Sequence, residues 1–250
     1  MTELVGRTDR GGGAVLTLDS PSNRNALSAK LIADLGRHLE AAGSDPAVRA
    51  IVLSGRGSTF CAGADLSDPP VRSGSGSFSG VLELLWSYPK PVIVAINGHV
   101  RAGGLGLVGC GDIVVSAHSA TFAFSEVRIG VAPAMISVLC LRKMTASYAA
   151  RYMLTGEVFS PEEARQAGLV NSVVADEDLF GTVDDHLDQL SLCEPGALSV
   201  TRSLLREVPL RGVHEGLSWA QEISEGLFSS PAAAEGIAAF KEKRKPYWVR

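Results

Sequence analysis

Two short segments of small residues could each present a backbone N–H group to the same reacting atom. The first is Phe60–Leu66, which runs through a cysteine, two alanines and a glycine, and the second is Ala102–Gly104. An apolar run that leads into glycines and then into a short helix leaves N–H groups without acceptors at the helix start. Such groups stabilise an anion, or a carbonyl oxygen that gains negative charge during a reaction. Glycines can also serve close packing alone, so it is the pair of segments, and neither one by itself, that indicates chemistry.

The second segment continues into a literal match to the dinucleotide-binding motif G-x-G-x-x-G, at Gly104–Gly109. In a dinucleotide-binding unit the helix after the motif must be long enough to return to a neighbouring parallel strand, over about thirty residues in all. Here the next apolar run begins at Ile113, only four residues after the motif ends. The sequence therefore argues against a dinucleotide cofactor.

Length, composition and charge indicate a globular protein without a nucleic-acid or membrane partner. The chain has 250 residues, of which 46% are apolar and 20% charged, and its formal net charge is -4. This length supports one sizeable core, and no basic excess of the kind found in nucleic-acid binders is visible. The N-terminus lacks the apolar region of a signal peptide, and the longest apolar stretch, 129–141, contains Pro133 and is too short to span a bilayer. We therefore expect a cytoplasmic protein.

The cysteines and histidines show no metal-binding pattern. Four cysteines occur without a CxxC spacing, and five histidines occur without the paired spacing of metal ligands. In a chain of this length the cysteines are expected to be free thiols in a reducing compartment. We predict no metal site.

Apolar periodicity predicts strands in the first half of the chain and helices in the second. Predicted strands cover 14–18, 48–54, 91–96, 113–115 and 121–124. Predicted helices cover 28–42, 80–87, 133–143, 146–154, 177–190, 196–206, 213–228 and 232–243, with Ser160–Glu163 as a further helix start. Residues 67–80 are rich in Ser, Gly and Pro, which predicts a mobile loop. Strands and helices that alternate and then give way to helices alone indicate an α/β core with a helical C-terminal region.

The small-residue segments and their surroundings resemble the crotonase superfamily, the enoyl-CoA hydratases and isomerases. The matching segments follow one another along nearly the whole chain, at 60–66, 89–98, 110–113, 125–130, 154–156, 163–170 and 240–244. The resemblance implies the ClpP/crotonase fold, an α/β spiral of ββα units with a helical C-terminal region. It also implies a core at 1–190 that carries the active site, and a region at 191–250 for oligomerisation and part of the CoA site. A homotrimer or a dimer of trimers is the assembly expected of this family.

In this family two backbone N–H groups hold the thioester carbonyl of an acyl-CoA, and the resemblance places them at Ala64 and Gly103. Hydratases of the family usually carry two glutamates that position water and move its proton. The second falls on Glu126, whereas the first falls on Gly106, which has no side chain. The resemblance implies a lyase, an enoyl-CoA hydratase that adds water across the 2,3-double bond with one glutamate as acid and base. Two alternatives stay open: a 3,2-enoyl-CoA isomerase, which needs one carboxylate, and an acyl-CoA binding protein with little catalysis.

The resemblance also implies contacts to CoA. The positions that match those beside the pantetheine, adenine and phosphates are Arg24, Ala26, Leu27, Ala62, Asp65 and Leu66. Phe240 and Lys243 match a pair that reaches the adenine and phosphates of a neighbouring subunit, although the basic run 241–245 is also typical of a solvated helix end. CoA enters as part of the substrate, so no further cofactor is implied. The sequence does not specify the length or branching of the acyl group.

Overall fold

The computed structural model describes residues 3–68, 74 and 76–249. Part of the predicted 67–80 loop, residues 69–73 and 75, lies outside that range. The strands are β1 (Val5–Arg10), β2 (Gly13–Leu18), β3 (Ala50–Gly55), β4 (Thr59–Cys61), β5 (Val92–Ile96), β6 (His99–Arg101), β7 (Ile113–Ala117), β8 (Phe122–Ala123) and β9 (Ser172–Val174). The helices are α1 (Ala29–Ser44), α2 (Phe78–Trp86), α3 (Gly103–Cys110), α4 (Ala134–Cys140), α5 (Ala146–Thr155), α6 (Pro161–Ala167), α7 (Leu179–Ser191), α8 (Pro195–Glu207), α9 (Val213–Phe228) and α10 (Pro231–Glu242).

The larger of the two sheets has six strands in the order β1-β2-β3-β5-β7-β9. Every neighbouring pair in it is parallel except β1 with β2. Strands β3 and β5 are buried almost throughout, because helices cover both faces of the sheet. One face packs against the main core, which includes α1 and α3, and the other against Leu179, Val183 and Leu187 of α7. This sheet is the buried platform beside the smaller sheet, whose strands lead to the candidate site residues.

A second, smaller sheet consists of three very short strands in the order β4-β6-β8. Both pairings are parallel, with Cys61 opposite Val100 on one side of β6 and Arg101 opposite Ala123 on the other. Because the strands are parallel, their carboxyl ends meet at one edge of the sheet. The three segments that follow these strands contain Ala64, Gly103 and Glu126.

Most of the predicted elements are present, and two predicted helix caps are confirmed in detail. The Oγ of Ser28 accepts a hydrogen bond from the N–H of Leu31 at 3.2 Å. At the start of α6, Ser160 and Glu163 form a reciprocal capping box. The small-residue segment 60–66 is not all turn, as the sequence pattern suggested: its first two residues belong to β4, and the turn follows only after Cys61.

Helix α8, in the C-terminal region, is attached to the core by a buried arginine. Arg202 is 4% exposed, and its Nε donates to a carboxylate oxygen of Asp112 at 2.5 Å. Its other nitrogens donate to the backbone carbonyls of Leu85, Trp86 and Tyr88. By contrast, α9 has no buried residue. In the described part of the chain, none of the helices is both long and apolar enough to cross a membrane.

Asp112 is the single carboxylate on which this attachment depends. Besides Arg202 it accepts a hydrogen bond from Arg206 at 2.9 Å and from the N–H of Val92 at 2.7 Å. Replacing one partner of a buried ion pair leaves the other charge uncompensated, which typically costs about 3–5 kcal/mol.

We predict that Asp112→Asn lowers the free energy of unfolding by about 3 kcal/mol, because Arg202 then stays buried without a counter-charge. Chemical denaturation followed by circular dichroism measures the change. The matched control is Asp9→Asn, whose carboxylate pairs with Arg7 but is 64% exposed, and which should change the free energy by less than about 1 kcal/mol. Equal effects of the two substitutions would contradict the structural role of Asp112.

Candidate active site

The first predicted donor, Ala64, lies in the turn that follows β4. Here the chain forms an isolated parallel bridge with Leu27, in which the N–H of Leu27 donates to the carbonyl of Gly63 at 2.8 Å. The N–H of Asp65 donates back to the carbonyl of Leu27 at 3.5 Å. In such a bridge the central residue turns its own N–H to the opposite side, which is the side of β6. The N–H of Ala64 has no acceptor among the described residues.

The second predicted donor, Gly103, is the first residue of α3. The turn before it is strained, because Ala102 has a φ of 45° although it carries a Cβ. The N–H of Ala102 donates to the carbonyl of Ala123 at 3.0 Å, so β8 holds the turn in place. As the first residue of a helix, Gly103 has no intrahelical acceptor for its N–H, and none is found elsewhere in residues 3–68, 74 and 76–249.

The two turns touch each other. A Cβ placed on Gly63, which has a φ of 90°, would lie 2.8 Å from the Cβ of Ala102 and 3.2 Å from the nitrogen of Gly103. A Cβ on Gly103 would lie 3.6 Å from the Cα of Gly63 and 2.9 Å from Leu27. Glycine is therefore required at position 63 for the approach, whereas a Cβ on Gly103 would press mainly on the movable end of the Leu27 side chain. The structure therefore brings the nitrogen of Gly103 close to the turn that contains Ala64.

Glu126 follows β8, in a short 3-10 turn at Ser125–Ile129. The side chain is half-buried, and its Oε2 has no hydrogen-bond partner in the part of the chain that the structure describes. Burial raises the pKa of this carboxyl above its ordinary value, although a hydrogen bond from its own backbone opposes the shift. A carboxyl group of this kind can exchange a proton with a bound molecule more readily than a solvated one.

The position of the usual first glutamate, Gly106, faces an apolar wall. A Cβ there would lie 2.8 Å from Ile136, 3.3 Å from Leu82 and 3.3 Å from Phe78. The three wall residues come from α4 and α2, which pack on either side of α3. The space that a second carboxylate would need is therefore filled with hydrocarbon. Sequence reasoning did not find this wall, because it depends on helix packing that no local pattern reveals.

The predicted CoA-binding residues that precede α1 lie directly beside the first turn. The N–H of Ala62 donates to the carbonyl of Arg24 at 3.1 Å, next to the bridge between Leu27 and Ala64. Arg24 and Asn25 have φ values of 58° and 55°, a conformation that non-glycine residues rarely adopt. The structure thus places Arg24, Ala26, Leu27, Ala62 and Asp65 in one group.

Asn25 stabilises this conformation through hydrogen bonds, a role that was not predicted from the sequence. Its fully buried amide accepts from the N–H of Ser20 at 2.8 Å and donates to the carbonyls of Arg56 and Thr59 at 3.0 and 2.7 Å. The role of Asn25 could have been predicted from its residue type and its position just before the Ser28 helix cap. Asparagine tolerates positive φ and forms hydrogen bonds with nearby backbone groups.

The three remaining predicted CoA contacts are Leu66, Phe240 and Lys243. Leu66 lies at the margin of the group just described, and the other two lie on or at the end of α10. Leu66 is 81% exposed, and Phe240 on α10 is 85% exposed. Lys243 ends α10 in a left-handed conformation, as a helix C-cap. The structure does not bring Phe240 or Lys243 to the site of the same chain, which agrees with the expectation that they serve a neighbouring subunit but does not test it.

Comparisons with known proteins identify the family to which the chain is similar. Residues 9–250 match the family model described as enoyl-CoA hydratase/isomerase. The chain is 33% identical over 260 residues to carnitinyl-CoA dehydratase of Salmonella enteritidis, with 99% of each chain covered. It is 30% identical over 237 residues to 2,3-dehydroadipyl-CoA hydratase of Escherichia coli, with 93% of each covered.

A solved structure shares the fold over nearly its whole length. The enoyl-CoA hydratase of Mycobacterium smegmatis superposes with a TM-score of 0.90 at 29% identity, and 98% of each chain is covered. The predicted crotonase fold is therefore confirmed. With the family model matching almost from end to end, the chain belongs to the enoyl-CoA hydratase/isomerase family.

Proposed function

We propose that this protein is an enoyl-CoA hydratase that works with one carboxylate. The observation that carries the proposal is the buried, unpartnered Oε2 of Glu126 at the same sheet edge as the free N–H groups of Ala64 and Gly103. An acyl-CoA thioester is the substrate class expected of the family. The names of the two curated relatives, a hydratase and a dehydratase of CoA thioesters, support addition or removal of water.

In the proposed mechanism the thioester oxygen accepts hydrogen bonds from Ala64 and Gly103. Those bonds draw electron density from the conjugated double bond and leave C3 open to attack. Glu126 accepts a proton from water as the water oxygen bonds to C3, and the double-bond electrons move into an enolate held by the two N–H groups. The protonated Glu126 then returns the proton to C2, so one water has been added in total. Removal of one such N–H donor typically costs about 3 kcal/mol of transition-state stabilisation.

A second candidate, 3,2-enoyl-CoA isomerase, is favoured by the apolar wall at Gly106. In that reaction Glu126 would take a proton from C2, the same N–H pair would hold the dienolate, and the proton would return at C4. No water is needed, so the hydrocarbon side chains around Gly106 are no obstacle. The wall also limits how a water could be held for hydration, since Glu126 alone must orient it.

The two reactions are separated by assaying 2-enoyl-CoA and 3-enoyl-CoA thioesters of several chain lengths. Hydration removes the absorbance of the conjugated thioester and forms a 3-hydroxyacyl-CoA. Isomerisation creates that absorbance from a 3-enoyl-CoA without hydroxyacyl product. Binding of acyl-CoA by calorimetry without either reaction would support instead the third alternative, a CoA-ester binding protein.

The CoA part of the substrate is proposed to lie along Arg24, Ala26, Leu27, Ala62 and Asp65, with Leu66 at its margin. The proposal includes Phe240 and Lys243 as contacts from a neighbouring copy in a trimer or a dimer of trimers. It is supported by α9, which has no buried residue of its own, and by the exposure of Phe240.

We predict that Glu126→Gln lowers kcat by roughly 100- to 10,000-fold, because the amide cannot accept a proton from water. Calorimetry with a saturated acyl-CoA should give an unchanged Kd. Glu162→Gln, which removes an exposed carboxylate paired with Arg165, is the matched control and should keep full activity. Retained turnover in the Glu126 variant would rule out its role as acid and base.

We predict that the rate of hydration falls as the pH drops through the raised pKa of Glu126, since only the deprotonated carboxylate can accept the proton. The acidic limb of the kcat/KM profile should lie above the ordinary glutamate pKa of about 4.3. Glu126→Asp should retain such a limb, whereas the residual activity of Glu126→Gln should lack it. A flat profile down to about pH 4 in the unaltered enzyme would be incompatible with this assignment.

We predict that Gly63→Ala lowers kcat/KM by about 100-fold or more, because the added methyl group would force the two turns apart. Gly57→Ala is the control: it has a similar φ of 83°, but its added methyl group would make only an ordinary 3.5 Å contact. Kinetics of the two variants, alongside their melting temperatures, test the prediction. Equal losses of activity would mean that backbone strain, and not the contact between the turns, is responsible.

A further inference from the structure

A second concave site lies at the far end of α3, away from the turns just described. It is a recess of about 400 Å³ between the end of α3, the segment after α4 and the end of α8. The side chains that matter for its chemistry are those of Trp86, Asp112, Arg142, Lys143, Arg206 and Leu210. Because α3 has eight residues, the recess is about 12 Å along the helix axis from Gly103.

The recess carries a large excess of positive charge. Arg142, Lys143 and Arg206 line it, and Asp112 is the one acidic side chain among its described lining residues. That carboxylate is already shared, since Arg202 donates to one of its oxygens and Arg206 to the other. Counting Arg202, four cations therefore lie in or beside the recess with one carboxylate.

Burial makes this charge costly. The side chain of Arg206 is only 10% exposed, and burial, together with repulsion from Arg202, lowers its pKa to about 10. Burial likewise lowers the pKa of Lys143. Desolvated charges of one sign are unfavourable unless an opposite charge joins them.

The end of helix α3 accounts for only a small part of this excess. The Nζ of Lys143 donates to the carbonyl of Gly111, just past the helix, where the helix dipole contributes about half a negative charge. Adding that to Asp112 still leaves about one and a half positive charges unbalanced among Arg202, Arg206 and Lys143, besides the exposed Arg142.

Trp86 holds two of the cations in place. The guanidinium of Arg206 lies 4.5 Å from the centre of its ring, and that of Arg142 lies 5.3 Å from it. Guanidinium groups stacked on an aromatic ring keep their N–H edges free for an anion, and their forked geometry suits phosphate oxygens. The exposed Leu210 adds an apolar side to the recess.

We propose that this recess binds a phosphate group, either as the free ion or as a phosphate ester. Two guanidinium groups and one ammonium group would then face a dianion, and the apolar side would accept the body of a small ester. The site is separate from the proposed CoA contacts around Arg24 and Ala62, which lie beside the opposite end of α3. Binding here does not depend on any catalytic turnover.

The test uses the fluorescence of Trp86 in a Trp219→Phe, Trp248→Phe background of the full chain. Inorganic phosphate, pyrophosphate and phenyl phosphate are titrated separately at constant ionic strength, with sodium chloride as the control anion. We expect saturable fluorescence changes with at least one phosphate compound and none with chloride. Tightest binding of inorganic phosphate identifies the free ion as the ligand, and tightest binding of phenyl phosphate identifies an ester.

Two substitutions connect the signal to the recess. Arg142→Gln removes an exposed cation and should weaken binding about tenfold or more. Leu210→Glu places a carboxylate at the apolar side and should weaken it similarly without touching the cations. Arg165→Gln, an exposed arginine on α6, is the control and should leave the Kd unchanged. The proposal is overturned if no phosphate compound gives a saturable change, or if neither Arg142→Gln nor Leu210→Glu weakens binding more than the control does.

Discussion

The site depends on the placement of one three-residue strand. Strand β6 lies between β4 and β8, and its N–H groups donate outward to both neighbours: His99 to Ser58 at 3.1 Å and Val100 to Thr121 at 2.8 Å. The turn into β6 is equally tight, because a Cβ on Gly98 would lie 2.2 Å from the carbonyl oxygen of Ser58. Any shift of β6 would therefore move Gly103 relative to both Ala64 and Glu126.

The cost of this arrangement is local strain, and the surrounding hydrogen bonds offset it. Ala102 adopts a φ of 45°, which costs on the order of 1–3 kcal/mol for a residue with a Cβ. The bond from its N–H to Ala123 and the fully buried helix α3 that follows hold it there. Strain that the fold maintains in this way is typical of preorganised sites, in which the donors need not rearrange when charge develops.

Much of the platform could be predicted from the sequence, whereas the shape of the site could not. Long apolar runs such as Pro91–Ile96 and the Ser160 cap are local signals, and the structure confirms them. Strands β1, β6 and β9 were missed because they are short or polar, and they are stabilised by their partners more than by their own residues. The group formed by Arg24–Leu27 and Ala62–Asp65 was anticipated through the family resemblance.

The surroundings of Gly106 could not be predicted from the neighbouring sequence. Its lack of a side chain was visible in the sequence, but Ile136 and Leu82 close the space from helices that are distant in the chain. The charge excess beside Asp112 was hidden for the same reason, since Arg142, Lys143 and Arg206 come together only through packing. Both features depend on contacts between residues that are far apart in the sequence, and both affect what the protein can bind.

The central claim is that the edge of the β4-β6-β8 sheet holds a thioester oxygen between two backbone N–H groups, with Glu126 at the reacting carbons. A crystal structure of the Glu126→Gln variant with a bound 2-enoyl-CoA tests it most directly. The account predicts a thioester oxygen about 2.7–3.1 Å from the nitrogens of both Ala64 and Gly103, with residue 126 beside C2 and C3. A thioester oxygen bound elsewhere, or bonded to only one of the two nitrogens, would contradict it.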